Sequence, residues 1–345
     1  MKRLFLSLAM VFCAMTLAAQ VTYGQQRGEA PAAKDYPLYV TFIFHIETGQ
    51  NPLDEQQFRA AAADLRGMAE VFKKHGGTLA THSDEVFALA CAKYSDNVLL
   101  EIQDKYRFPV GSYPHGRPSA ATKAAVDALG IKNEHVFGNW GKRFNRNWVA
   151  DAIANGFKYT CAAQAMILPE VEIETSWDHE TVPWSRADRI HPWRIKSTEE
   201  FQVHDPNSSL VYIPGESEGI QGVYERDLTG NLVRPRTKRG GPPARSRIPG
   251  GPAGTRGGSG FDSRDIDVAI EMMRKALVFA EKDKVNTWYL VTNITGRDRL
   301  DRDAGLFANW IDRINEDFVK RGLVEWKTTD EMYKAYVEWE KRTGQ

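Results

Sequence analysis

The sequence predicts an α/β protein built as an irregular β/α barrel. Three observations carry this. Short β-branched and aromatic runs alternate with amphipathic helical stretches from residue 38 to residue 167. The rhythm breaks over 170–260 and returns from 263 to 340. Hydrophobic residues make up 42% of the 345-residue chain, enough for a large core.

The elements follow in order. Leu38-Tyr39-Val40-Thr41-Phe42-Ile43-Phe44 reads as a buried strand bounded by Pro37. Residues 54–75 form an amphipathic helix, with Phe58, Ala62, Leu65, Met68, Ala69 and Phe72 at helical spacing and Gly76-Gly77 stopping it. A short strand over 78–81 leads into a helix over 83–92, capped from Ser83-Asp84-Glu85. A helix over 98–106, a strand over 108–113 and a helix over 119–129 come next. A strand over 135–140, a helix over 147–155 and a strand over 159–167 close the first half. Residues 170–225 read as strands and loops rich in Trp and His, and 226–260 as a disordered Arg/Gly/Pro-rich insertion too polar to pack. Helix 263–282, strand 287–292, helix 303–321, strand 323–326 and helix 329–340 restore the alternation. Seven or so strands alternate with helices, which suits a barrel better than an open sheet.

The N-terminus has the form of a cleavable secretory signal. Lys2 and Arg3 precede an apolar run over 4–17, and small residues follow at Ala18-Ala19 and Tyr23-Gly24. The apolar run is shorter than the roughly 20 residues of a membrane span. Cys13 lacks a lipobox-like approach. Residues 1–24 are therefore expected to be removed, 25–36 to be a flexible leader, and 37–345 to form a single barrel domain in the periplasm or outside the cell. No stable membrane insertion is expected after cleavage.

Charge excludes a dedicated nucleic-acid binder: 45 basic residues balance 45 acidic ones. Export argues equally against an RNA role for the Arg/Gly insertion, which reads as a mobile surface segment. Cys91 and Cys161 remain in the mature chain; in an oxidising compartment they could pair, but they are too few for a disulfide scaffold, and the plainer expectation is two free, buried residues. The oligomeric state is left open.

In a β/α barrel the chemistry sits at the C-terminal strand ends. The first strand runs into His45 and Glu47, two apart and so on one side of an extended segment. His plus carboxylate there suits a divalent metal or an acid/base pair. The next strand ends at His82 and Asp84, the third at Tyr113, His115 and Arg117, and the stretch after Ile190 carries His191, Trp193 and Arg194. Each has a plainer alternative: Asp84 as a helix cap, Arg194 paired with a structural carboxylate, a histidine as a loop hydrogen-bonder.

These stretches resemble the polysaccharide deacetylase family. Val40-Thr41-Phe42-Ile43-Phe44-His45-Ile46-Glu47 is similar to its first strand. Leu99-Leu100-Glu101-Ile102 with Phe108-Pro109-Val110-Gly111-Ser112-Tyr113-Pro114-His115 looks like its helix and histidine block. His191-Pro192-Trp193-Arg194 with Leu210-Val211-Tyr212-Ile213-Pro214 looks like its Arg-bearing strand and the next strand's hydrophobic-Pro ending. Trp326-Lys327-Thr328-Thr329-Asp330-Glu331-Met332 resembles its last strand and helix. The resemblance implies an irregular seven-stranded (β/α) barrel and a hydrolase of carbon–nitrogen bonds that removes acyl groups from an amino-sugar glycan. It also implies a divalent metal, zinc foremost, on His45, Glu47 and His115, with His82 in reserve. Metal-activated water would attack an acetamide carbonyl, with Glu47 or Asp84 as base and Arg194 orienting charge. Tyr113, Trp140 and Trp193 would line the carbohydrate. The chain departs from the family pattern. His45 and Glu47 stand where an Asp-Asp pair is usual, Tyr113 and Arg117 where two histidines are usual, and Thr292-Asn293-Ile294-Thr295 offers no histidine. A catalytically inactive saccharide-binding barrel, or a glycosidase using two of Glu47, Asp84 and Glu216, are the alternatives.

Overall fold

Strand β1 (Leu38–Ile46) is the spine of the sheet, and its side chains divide by parity between two packing layers. In this computed structural model the described residues are 36–46, 48, 52–114, 118–137, 147–161, 164–165, 181–182, 190–200, 203–215, 263–294 and 300–344. All of them belong to one unit spanning 33–345. The expected signal, the leader up to residue 35 and the Arg/Gly insertion lie outside the described residues.

Val40, Phe42, Phe44 and Ile46 of β1 enter the cluster that packs on the helices, whereas Ile43 enters a second cluster on the opposite face. The outer layer rests on α1 (Glu55–His75). Asp54 and Gln57 form a capping box at its start, Gly76 closes it at φ 76°, and Lys73, Lys74 and His75 suit the negative end of its dipole. Phe58, Leu65, Met68 and Phe72 share its buried face. Helix α2 (Glu85–Lys93) starts from the Asp84 cap and α3 (Val98–Tyr106) from Asn97. Helices α4 (Ser119–Asp127), α5 (Trp148–Ala154), α6 (Ser263–Val278), α7 (Leu300–Asp317) and α8 (Thr329–Thr343) follow. The Phe42 ring meets Phe72 of α1 at 5.0 Å and Trp310 of α7 at 4.6 Å, both edge to face.

The remaining strands are β2 (Leu79–Ser83), β3 (Val110–Ser112), β4 (His135–Val136), β5 (Tyr159–Thr160), β6 (Gln164–Ala165), β7 (Thr181–Val182), β8 (Trp193–Arg194), β9 (Val211–Tyr212), β10 (Asn286–Ile294) and β11 (Val324–Trp326). Strand order is β10-β1-β2-β3-β4-β5-β9-β8, parallel throughout except that β8 runs antiparallel to β9. β6 and β7 pair separately. One edge of β1 carries β10 along its full length. Its other edge is shared: β11 takes Leu38–Val40 and β2 takes Phe42–Ile46. The amide hydrogen bonds follow that division, Leu38 N to Leu323 O at 3.0 Å and Phe42 N to Thr78 O at 3.1 Å.

The sheet curls into a half-barrel. Ile43 of β1, Ala80 of β2, Tyr159 of β5, Val211 of β9 and Tyr289 of β10 meet in one inner cluster, which a flat sheet could not bring together. Between β9 and β10 the contact is through side chains: Thr287 Oγ1 donates to Pro214 O at 3.1 Å. A Cβ on Gly215 would fall 2.3 Å from the Tyr289 ring, so the backbone there lies against the ring face. Among the described residues no backbone ladder joins β9 to β10, and the curled half-barrel is consistent with the (β/α) barrel-type fold expected. α8 contributes Met332 and Tyr336 to the inside. No helix among the described residues is long and apolar enough to cross a membrane.

Candidate functional site

A single cross-strand row on the inner face gathers the polar chemistry. His45 pairs in register with His82, and His82 with Gly111. Ser112 pairs with Val136, which sets Gly111 beside His135, and His135 pairs with Tyr159. Parity then aims the row inward: His45 shares the face of Ile43, and His82 that of Ala80. All three histidines and Tyr159 are fully buried. Ring centres are 5.3 Å apart for His45–His82 and 4.8 Å for His82–His135, and His135 stacks on Tyr159 at 4.9 Å.

Gly111 makes the row possible. A Cβ there would lie 2.4 Å from His135 Cδ2 and Nε2 and 2.7 Å from the His135 carbonyl oxygen. The His135 ring therefore occupies the space that a side chain on β3 would fill.

The far end of the row is anchored on the N-terminus of α8. The Tyr159 hydroxyl lies 3.1 Å from His135 Nδ1 and 3.0 Å from Thr329 Oγ1, and it donates to Asp330 Oδ1. A phenol has one proton and two lone pairs. With that proton on the Asp330 carboxylate, the oxygen accepts from His135 Nδ1–H and from the Thr329 hydroxyl. Nε2 of His135 is then the bare lone pair. Burial pushes His135 down to about 4, against the pull of the Asp330 and Glu134 carboxylates. Burial, reinforced by the His135 and His45 imidazoles, holds His82 well below the ordinary histidine range. Burial and the Asp330 charge raise the Tyr159 phenol and the Cys161 thiol, so both keep their protons.

The expected site residues fall into three groups. His45 and His82 lie inside β1 and β2 on the inner face, not in rim loops past the strand ends, because both strands run further than their apolar cores suggest. Tyr113 joins them, fully buried and stacked on His45 at 4.5 Å. Asp84 and Arg194 are held by other partners. Asp84 accepts from Phe87 N at 2.8 Å as the α2 cap, and from Thr48 N and Thr48 Oγ1 at 2.6 and 2.7 Å. The Arg194 guanidinium forks onto Glu340 of α8, with Nε–Oε1 and Nη2–Oε2 both 2.7 Å. Trp193 packs on Tyr212 at 4.3 Å in a separate cluster. Glu47, His115, Arg117, Trp140 and Glu216 lie outside the described residues. His135, Tyr159 and Asp330 were not foreseen as site residues. The signal for His135 was a histidine opening a short strand, two residues before Phe137 on the same face.

A divalent ion, the group implied by the family resemblance, needs nitrogen or oxygen lone pairs free of other duties. Both ring nitrogens of His82 and Nε2 of His135 are buried with no hydrogen-bond partner among the described residues. Neutral imidazole is the ligating form of histidine, so these atoms fit. Among the described residues no three His, Cys, Asp or Glu side chains form one metal-holding group.

No protein-family model matches the chain, and no curated protein sequence does. Solved structures resemble it in outline. Puue allantoinase is 10% identical, with 92% of this chain and 96% of that chain covered and a TM-score of 0.49. A probable polysaccharide deacetylase from Pseudomonas aeruginosa gives the same identity, coverage and score. The 4-alpha-glucanotransferase from Thermococcus litoralis is 12% identical over 87% of this chain, with a TM-score of 0.48, and this chain spans only 40% of its length. At these identities no residue role passes from them to this chain.

Proposed function

We propose that the protein is an exported hydrolase that removes acyl groups from an amino-sugar glycan, working from the inner face of the curled sheet. The observation that supports this best is the row of buried imidazoles on the inner face, with His45 and His82 close to the C-terminal ends of β1 and β2, where barrel enzymes gather their chemistry. A divalent metal bound there would polarise the acetamide carbonyl and acidify a water. The chain's own residues do the rest. His82 stays neutral because burial and its neighbours disfavour its cation, so it can offer a lone pair at neutral pH. Tyr113 and Phe137 wall the His45 side, at 4.5 and 4.1 Å from its ring, and keep bulk water from that face.

Two features support a second reading, a saccharide-binding barrel without turnover. Asp84 and Arg194 are both committed to structural partners. Acetate release from N-acetylated glucosamine oligomers by the mature wild-type protein separates the two. Release supports the hydrolase; retention of oligomers without release supports the binder; new reducing ends without acetate would replace both with a glycosidase.

A further inference from the structure

We propose that His82 and His135 are a pair of inner ligands for a borderline divalent cation, and that Asp330, acting through Tyr159, fixes the His135 tautomer that lets it bind. The assignment deepens the reading of the inner face as the active centre. It adds a ligand and its support that the strand-end residues alone did not suggest.

Four observations converge. First, both ring nitrogens of His82 and Nε2 of His135 are buried with no hydrogen-bond partner among the described residues. A buried polar atom left unpaired is costly, so three on two adjoining rings call for a partner. Second, the spacing fits. Metal–nitrogen bonds of about 2.0–2.1 Å at a tetrahedral angle put two ring centres about 5 Å apart; His82 and His135 stand at 4.8 Å. Third, Nδ1 of His135 is spoken for. It faces the Tyr159 oxygen, whose own proton goes to Asp330, so the proton of His135 sits on Nδ1 and the lone pair on Nε2. This is the outer support by which proteins orient a metal-bound histidine, extended here by one phenol. Fourth, Gly111 leaves the space that His135 occupies. Neutral imidazole donors select zinc, copper, nickel or cobalt over magnesium or calcium.

The test uses tag-free mature protein, stripped with chelator and dialysed. Zinc binding is followed by calorimetry and cobalt binding by its visible absorption. The wild type is expected to take up one ion. His82→Ala and His135→Ala are expected to lose it, while His75→Ala on the surface binds as the wild type does. Tyr159→Phe and Asp330→Asn are expected to weaken binding by about 10–100-fold. They should also move the His135 proton between its ring nitrogens in nitrogen-15 spectra of the metal-free protein. Where an alanine variant fails to fold, His82→Gln and His135→Gln replace it. No stoichiometric ion in the wild type, or wild-type affinity in both the His82 and His135 variants, overturns the site. An ion bound without acetate release leaves the site standing and removes the hydrolase reading. Acetate release without an ion does the reverse.

Discussion

Replacing Arg194 with alanine should destabilise the protein by about 2–3 kcal/mol, and the reason lies in what it leaves behind. Arg194 sits on β8 and holds Glu340 of α8 through two hydrogen bonds of 2.7 Å, with a third from Nη1 to Ser208 O at 2.6 Å. The Glu340 side chain is only 7% exposed, and that of Arg194 20%. Removing one partner of a buried pair costs roughly 3–5 kcal/mol, because the survivor is left charged and dry. The partial exposure of Arg194 admits some water and brings the figure to the lower side. The pair as a whole contributes much less, since its desolvation offsets most of its attraction. Arg194→Met with Glu340→Leu should therefore return to within about 1 kcal/mol of the wild type. Urea unfolding followed by far-ultraviolet circular dichroism gives the free energies of the wild type, Arg194→Ala, the component singles Arg194→Met and Glu340→Leu, and the double variant. A single variant costing under about 1 kcal/mol, or a double variant as unstable as the two singles summed, would refute the reasoning. If Arg194→Ala instead keeps stability and abolishes acetate release, the residue belongs to the chemistry after all.

Gly111→Ala should cost about 1–3 kcal/mol in the same assay, because the new methyl meets the His135 carbonyl as well as its ring, and backbone cannot yield as a side chain can. Neither Cys91 nor Cys161 should react with Ellman's reagent in the native protein, since both are buried and burial pushes the Cys91 thiol up to about 12; both should titrate once denaturant is added. The metal-free protein should lose stability as pH falls from about 6.5 to about 4. His135 stays neutral when folded while the unfolded chain takes up its proton, a loss of about 3 kcal/mol that His135→Gln should remove from urea midpoints measured across that range.

Where a signal was local, the sequence carried the structure. The 54–75 helix was readable because its cap, its apolar stripe and its terminal glycine all lie within one segment, and helix 98–106 has the bounds expected of it. The strands were readable as apolar runs but not in their extent. β1 was expected to end at Phe44 and continues to Ile46, which draws His45 from a loop into the sheet. Of the strands expected over 135–140 and 159–167, His135–Val136, Tyr159–Thr160 and Gln164–Ala165 are strand, while 138–140, 162–163 and 166–167 lie outside the described residues. Strand length in this fold is set by which neighbour lies alongside, a long-range matter that apolar content does not report.

The same distinction governs the site. His45 and His82 attract attention as histidines near strand ends, and both do belong to the row. His135 looks like an ordinary strand residue until register sets it against His82, across a glycine whose importance is purely negative. Asp330 looks like an acidic residue in the first turn of a helix, a place where the dipole alone explains it. Only the curl of the sheet brings α8 to Tyr159 and gives that carboxylate a second task. A residue's type therefore narrows what it can do, but the inner row exists because five separate elements agree on one register. That agreement makes the row vulnerable at Gly111, which carries no chemistry of its own. A methyl group there would displace the His135 ring while keeping all three histidines in the chain, separating the presence of the donors from their arrangement.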